Sequence, residues 1–166
     1  MKRMLSVTLV VCTCAASALA QGMRKPGAEQ ARMAFFAGDW KIEGESEGLK
    51  YTLQDTCEWF EGGFHLVCRS AGGGAFGRMQ GQAIFAYDGV TKSYTLFTMN
   101  NLGNGFSAKG SVNDKVWTWE AALAGPNGPM PVRLTITEES PTAYRFVLHG
   151  RVGNEWPVLE EGRATK

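Results

Sequence analysis

Histidine is almost missing from this chain: His65 and His149 are its only two in 166 residues. Near-neutral acid–base chemistry therefore has very few side chains to draw on. H-E-x-x-H, C-x-x-C and Walker loop patterns are absent, which removes the commonest signatures of zinc proteases, dithiol redox sites and phosphate-binding loops. Charge of one sign is not in excess either. The 17 basic residues fall to 15 once Lys2 and Arg3 leave with the leader described below, against 16 acidic ones. Such a balance gives no bulk attraction to nucleic acid or to an anionic membrane surface. No stretch after residue 20 is apolar enough to span a bilayer, and strands do not alternate with helices as a parallel sheet would require.

What is present starts at the N-terminus. Lys2 and Arg3 precede an apolar run from Leu5 to Cys14, and Ala18-Leu19-Ala20 supplies small residues for cleavage. This is the layout of a secretory leader over residues 1–20, with a mature domain over 21–166 in the periplasm or the medium. Cys12 and Cys14 leave with it. Cys57 and Cys68 remain, and a lone pair of cysteines in an exported domain is expected to form a disulfide.

One helical segment is expected, Gly27–Phe36, with Gly38 as its stop. From Asp39 the apolar period becomes two. Val132, Leu134 and Ile136 share a face against Arg133 and Thr135, and Tyr144, Phe146 and Leu148 oppose Arg145. About ten short strands are punctuated by turn residues such as Glu61-Gly62-Gly63, Asp88-Gly89 and Gly103-Asn104-Gly105. The expected fold is all-β, a single antiparallel β-barrel of about 8–10 strands with a short N-terminal helix. Gly72-Gly73-Gly74-Ala75-Phe76-Gly77 formally fits G-x-G-x-x-G, but a strand follows it where a dinucleotide site needs a helix. It is expected to be a mobile glycine-rich loop between strands, with a flap at the barrel mouth as the alternative.

The short helix followed by Phe36-Ala37-Gly38-Asp39-Trp40 resembles the Gly-x-Trp signature of lipocalins and the wider calycin group. Gly81 to Asp88 followed by Lys92-Ser93-Tyr94 is similar to the rhythm of an exported bacterial calycin-like domain family of unknown function. The resemblance implies that Trp40 closes one barrel end and that a basic residue near the C-terminus, Arg163, lies across its ring. It also implies that some relatives bind haem through a histidine, which would make His149 a haem ligand or a general base.

Cys57-Glu58-Trp59-Phe60-Glu61-Gly62-Gly63-Phe64-His65-Leu66-Val67-Cys68 reads as a hairpin. With Gly62-Gly63 as a two-residue turn, Cys57 falls opposite Cys68 as a hydrogen-bonded pair with Cα atoms about 5.5 Å apart. His65 then points to the other face, which argues against a zinc site with the two sulfurs. Glu160 and Glu161, being adjacent on a strand, point to opposite faces and cannot act as a carboxylate pair. Aromatic side chains carry the binding signal. Trp117 with Trp119, Phe85 with Tyr87, and Phe97, together with His149 at a strand end, are the residues expected to line an apolar cavity. A barrel of about ten strands is wider than side chains alone fill. The partner expected is a small apolar or amphipathic molecule, with no metal and no cofactor other than haem in the His149 reading. An isomerase, cyclase or haem-dependent enzyme, and an envelope module with a filled barrel, are the alternatives.

Overall fold

The computed structural model describes residues 25–125 and 128–166; the expected leader over residues 1–20 lies outside them. The helical segment is split. A short α-helix, α1 (Ala28–Arg32), is followed by a 3-10 turn over Met33–Phe36. The Gln30 side chain accepts the Gly27 N–H at 2.9 Å, and Glu29 and Arg32 sit at the ends the helix dipole favours. Met33 and Phe36 are buried, so this segment enters the fold as a plug.

Ten strands follow: β1 (Gly38–Ser46), β2 (Leu49–Trp59), β3 (His65–Gly74), β4 (Gly77–Asp88), β5 (Ser93–Asn100), β6 (Gly105–Asn113), β7 (Val116–Gly125), β8 (Gly128–Ser140), β9 (Ala143–Gly150) and β10 (Val158–Thr165). Each pairs antiparallel with the next, and β10 pairs with β1 to close the barrel. Period-two patterning produces this directly. On β2, Tyr51, Leu53 and Cys57 are buried while Lys50, Thr52, Gln54 and Thr56 are exposed. On β9, Tyr144, Phe146 and Leu148 are buried against exposed Arg145.

The glycine-rich stretch is a correction to the expected loop. β3 runs through Gly74 and β4 begins at Gly77, leaving only Ala75 and Phe76 between them. A Cβ on Gly72 would lie 2.2 Å from the Thr52 carbonyl oxygen, and one on Gly74 would lie 2.3 Å from that of Lys50. Glycine here allows the strands to approach more closely than side chains permit. Phe76 at the tip packs on Tyr51, with ring centroids 5.7 Å apart.

The cysteine hairpin keeps its expected register, with Cys57 opposite Cys68 and Trp59 opposite Leu66, and the disulfide is formed. Its turn is longer than expected. Phe60 N–H donates to the His65 carbonyl at 2.9 Å, so four residues, Glu61 to Phe64, make the loop. Moving the closing pair by one residue turns the cysteines into a non-hydrogen-bonded pair, the closer of the two kinds. Their Cα atoms are 3.9 Å apart.

Arg163 is a second correction. Ala164 takes the inward position on β10 and is fully buried, so Arg163 points out, 2.6 Å from Glu139. Lys166 lies across Trp40 instead, its Nζ 4.4 Å from the ring centroid, and donates to the Phe35 carbonyl at 3.3 Å. Trp40 is buried, with its indole N–H donating to the Phe36 carbonyl at 2.8 Å. The cation over the Trp40 ring is thus Lys166 and not Arg163.

Candidate functional site

Inward side chains divide the barrel into a filled half and a hollow half. At the end plugged by Met33 and Phe36, the Phe36 and Phe85 rings stack at 4.8 Å, and Trp117 and Trp119 lie parallel at 6.0 Å. Tyr94 meets Trp117 at 4.9 Å. Such aromatic pairs contribute about 0.5–1.5 kcal/mol each beyond the area they bury. Arg32 of α1 latches this end: it stands 5.0 Å over Trp117 and 2.5 Å from Glu138, which also accepts the Trp117 indole N–H at 2.6 Å.

Beyond Trp40 and Tyr144 the interior opens into a chamber of about 220 Å³. Ile42 of β1, Leu53 of β2, Phe106 of β6, Leu134 and Ile136 of β8, and Phe146 and Leu148 of β9 form its apolar wall. Tyr51, Tyr144, Thr98 and Glu160 supply its polar groups, and the Tyr51 hydroxyl donates to Glu160. Gly44 makes this possible. A Cβ there would meet the Tyr51 ring at 2.5 Å, so the ring lies over the bare backbone of β1 to reach β10. The bulge between Val158 and Glu160 sets Glu160 facing inward, and Glu161 falls outside, as alternation requires.

A smaller void of about 50 Å³ lies behind Tyr144, which lines both spaces. Asp55 projects into it beside the disulfide and Trp40. Its Oδ1 is buried with no hydrogen-bond partner among the described residues. Ser70, opposite Asp55 on β3, is the polar neighbour that favours its charge.

Burial dominates the electrostatics. Loss of solvent pushes the Asp55 and Glu160 carboxyls above the usual range, opposed by Ser70 and Tyr51 respectively. The Tyr51 hydroxyl is pushed far up, first by burial and then by the Glu160 charge; Tyr144 is pushed up by burial and then by Asp55. Neither phenol is a base at neutral pH. The interior therefore offers hydroxyl donors and carboxyl acceptors in an apolar setting.

None of the six residues expected to line a cavity lines the chamber, and Phe85 alone among them borders the smaller void. Trp117, Trp119 and Phe85 are buried in the filled half, and Tyr87 packs on Tyr94 at its rim, centroids 5.0 Å apart. Phe97 is on the outer face, 44% exposed, because Leu96 and Thr98 take the inward positions. His149 also faces outward, between buried Leu148 and Gly150 and opposite Arg133. The chamber's lining has no imidazole, so the residues present do not fit a histidine-ligated haem there. Among the described residues no group of three or more His, Cys, Asp or Glu is placed to hold a metal.

One further pattern is accounted for by a hairpin. Gly44-Glu45-Ser46-Glu47-Gly48 fits G-x-S-x-G, but Glu47 and Gly48 turn the chain into β2, not into a helix, and Ser46 donates to the Leu159 carbonyl at 3.4 Å. That is no nucleophile elbow. A concavity of about 570 Å³ lies on the outer face over Gly44 and Gly162, among exposed charges including Glu43, Arg145 and Arg163.

Asp55 was the legible clue to the interior. It is the one acidic residue in the alternating set Tyr51, Leu53, Asp55, Cys57. Glu160 carried no such signal, since the bulge before it hides which face it takes.

Among solved structures, the chain is similar to a de novo designed fluorescence-activating β-barrel, with a TM-score of 0.45 and 12% identity over 80% of this chain and 94% of that one. It is also similar to a redesigned β-barrel, with a TM-score of 0.44 and 13% identity over 80% and 92%. No protein with a curated description matches the chain. Residues 25–153 match a family described as "Protein of unknown function (DUF1579)".

Proposed function

We propose, for a chain that belongs to the DUF1579 family, that the barrel carries one small amphipathic molecule in its interior chamber and does so outside the cytoplasm. The observation behind this is the division of the interior. One half is packed with aromatic rings, while the other leaves about 220 Å³ walled by aliphatic and aromatic side chains and served by the Tyr51–Glu160 pair. A barrel whose only task was rigidity has no use for a buried hydrogen-bonded carboxyl beside a void.

Magnitudes decide what such a site selects. An apolar body burying roughly 150 Å² gains roughly 4 kcal/mol at 25 cal per Å². Alone, that corresponds to about millimolar affinity. Polar contacts at the chamber's few hydrogen-bonding groups must supply the rest, so the ligand has a polar head. The enzyme reading built on His149 loses its residue to the outer face.

The leader and the Cys57–Cys68 disulfide support export. Native mass spectrometry of protein recovered from its own compartment tests both parts. The expected result is a chain beginning at Gln21, with no free thiol and with a small molecule bound. Leu134→Trp, which sets an indole in the chamber, is expected to abolish the bound mass while the β-sheet circular dichroism persists. A chain that retains Met1 overturns the export, and a bound mass that survives Leu134→Trp overturns the chamber.

A further inference from the structure

We infer that the chamber selects ligands with a cationic, amine-type head and rejects anionic ones, an inference that rests on the carrier reading above. The groups facing the ligand space decide this. Glu160 of β10, Tyr51 of β2 and Tyr144 of β9 face the chamber, with Thr98 of β5 as a further hydroxyl. Asp55 of β2 stands behind Tyr144, in the adjoining void. No lysine, arginine or histidine is among the chamber's lining residues.

Tyr51 donates to one oxygen of Glu160. An ionised carboxylate has about four acceptor sites on its two oxygens, so acceptor capacity is left for a donor in the chamber. Burial makes the negative charge on Glu160 costly, as its raised pKa attests. A bound cation offsets that cost directly. A neutral hydroxyl head bonds to the same oxygens but leaves the charge uncompensated. A carboxylate head sets a second negative charge beside the first in a poorly solvated space, with Asp55 close behind. The order expected is amine, then alcohol, then acid.

Size fixes the probes. An apolar cavity of about 150 Å³ accepts benzene, so about 220 Å³ suits one ring with a short head. The test is titration calorimetry with 2-phenylethylamine, 2-phenylethanol and phenylacetate, which differ in the head group. At about pH 8 the amine is expected to bind at least about tenfold more tightly than the alcohol, and phenylacetate most weakly. Equal affinity for amine and alcohol, or tighter binding of the acid, overturns the head-group selection and leaves the carrier reading intact. No binding of any of the three, with no mass co-purifying from the native source, overturns both.

Glu160→Gln is expected to bring the ratio of amine to alcohol affinity to within about twofold, and a ratio that stays near its wild-type value assigns the selection elsewhere. Should that variant not fold, the wild-type protein supplies a second readout. Lowering the pH from about 8 adds a proton to the Glu160 carboxyl earlier than to an ordinary carboxyl, because burial raises its pKa, while the amine stays charged. The amine's affinity is therefore expected to fall and the alcohol's to hold; an amine curve that stays flat overturns the inference.

Discussion

Asp55 and Glu160 lie among apolar side chains, and burial raises both above the ordinary carboxylate range. The folded state therefore holds their protons more tightly than the unfolded chain does. Between the unfolded value, about 3.9 for aspartate, and the raised folded one, stability falls as pH rises. Above that window each buried carboxylate imposes its full cost; below it, none. Asp55→Asn removes the charge beside Tyr144 while keeping a polar atom at the position of the unpartnered Oδ1. Thermal unfolding at about pH 8 is expected to show the variant more stable by on the order of 1 kcal/mol, a few degrees in Tm, with the gain vanishing near pH 3.5. Exposed carboxylates held low, such as Asp88 by Thr91 and Glu139 by Arg163, cancel in that difference. A variant less stable than wild type at pH 8 would make Asp55 a structural partner and not a burden. Residue by residue, alternation paired the residues that share a face without saying which face is inside, as Phe97 and His149 on the outer face show. Alternation set Asp55 among apolar neighbours, whereas the contact of Trp40 with Lys166 in place of Arg163 turns on which neighbour Ala164 displaced outward.

At the scale of elements, the hairpin of β2 and β3 was the most legible feature, because two cysteines around a pair of glycines admit few registers. Its turn type was not, since Gly62 and Gly63 both adopt positive φ and suit either a two- or a four-residue loop. The sulfurs are 11 residues apart in the chain. Closing a loop that short stabilises the fold by about 2–3 kcal/mol in the chain-entropy model. Replacing both cysteines with alanine is expected to lower the unfolding free energy read from a urea titration by at least that amount, since Cys57 and Cys68 are also buried. A loss under about 1 kcal/mol would mean the hairpin is held by β4 and its ladder alone. The glycine-rich segment was misjudged at this scale. Glycine marks flexible loops and close backbone approach alike, and only the third dimension separates them.

For the whole molecule, ten strands and their order followed from period two and turn spacing, because neighbours in sequence became neighbours in the sheet. The chamber did not, because Tyr51 and Glu160 are 109 residues apart and meet only when the ring of strands is complete. That completion depends on β10, which lies beyond the family match ending at residue 153. A chain stopped at Gly153 is expected to lose its monomer peak in size-exclusion chromatography, since β1 and β9 become bare edges. A monomer with the native near-ultraviolet spectrum would place the fold's integrity elsewhere. The seam between β1 and β10 also gives the fold a timetable. A ribosome makes β1 early and β10 last, so nothing behind it can close the barrel until Thr165 has emerged. The β2–β3 hairpin needs no such wait, being local in sequence. Until Thr165 is out, β1 has β2 alone as a neighbour, and the barrel stays an open sheet.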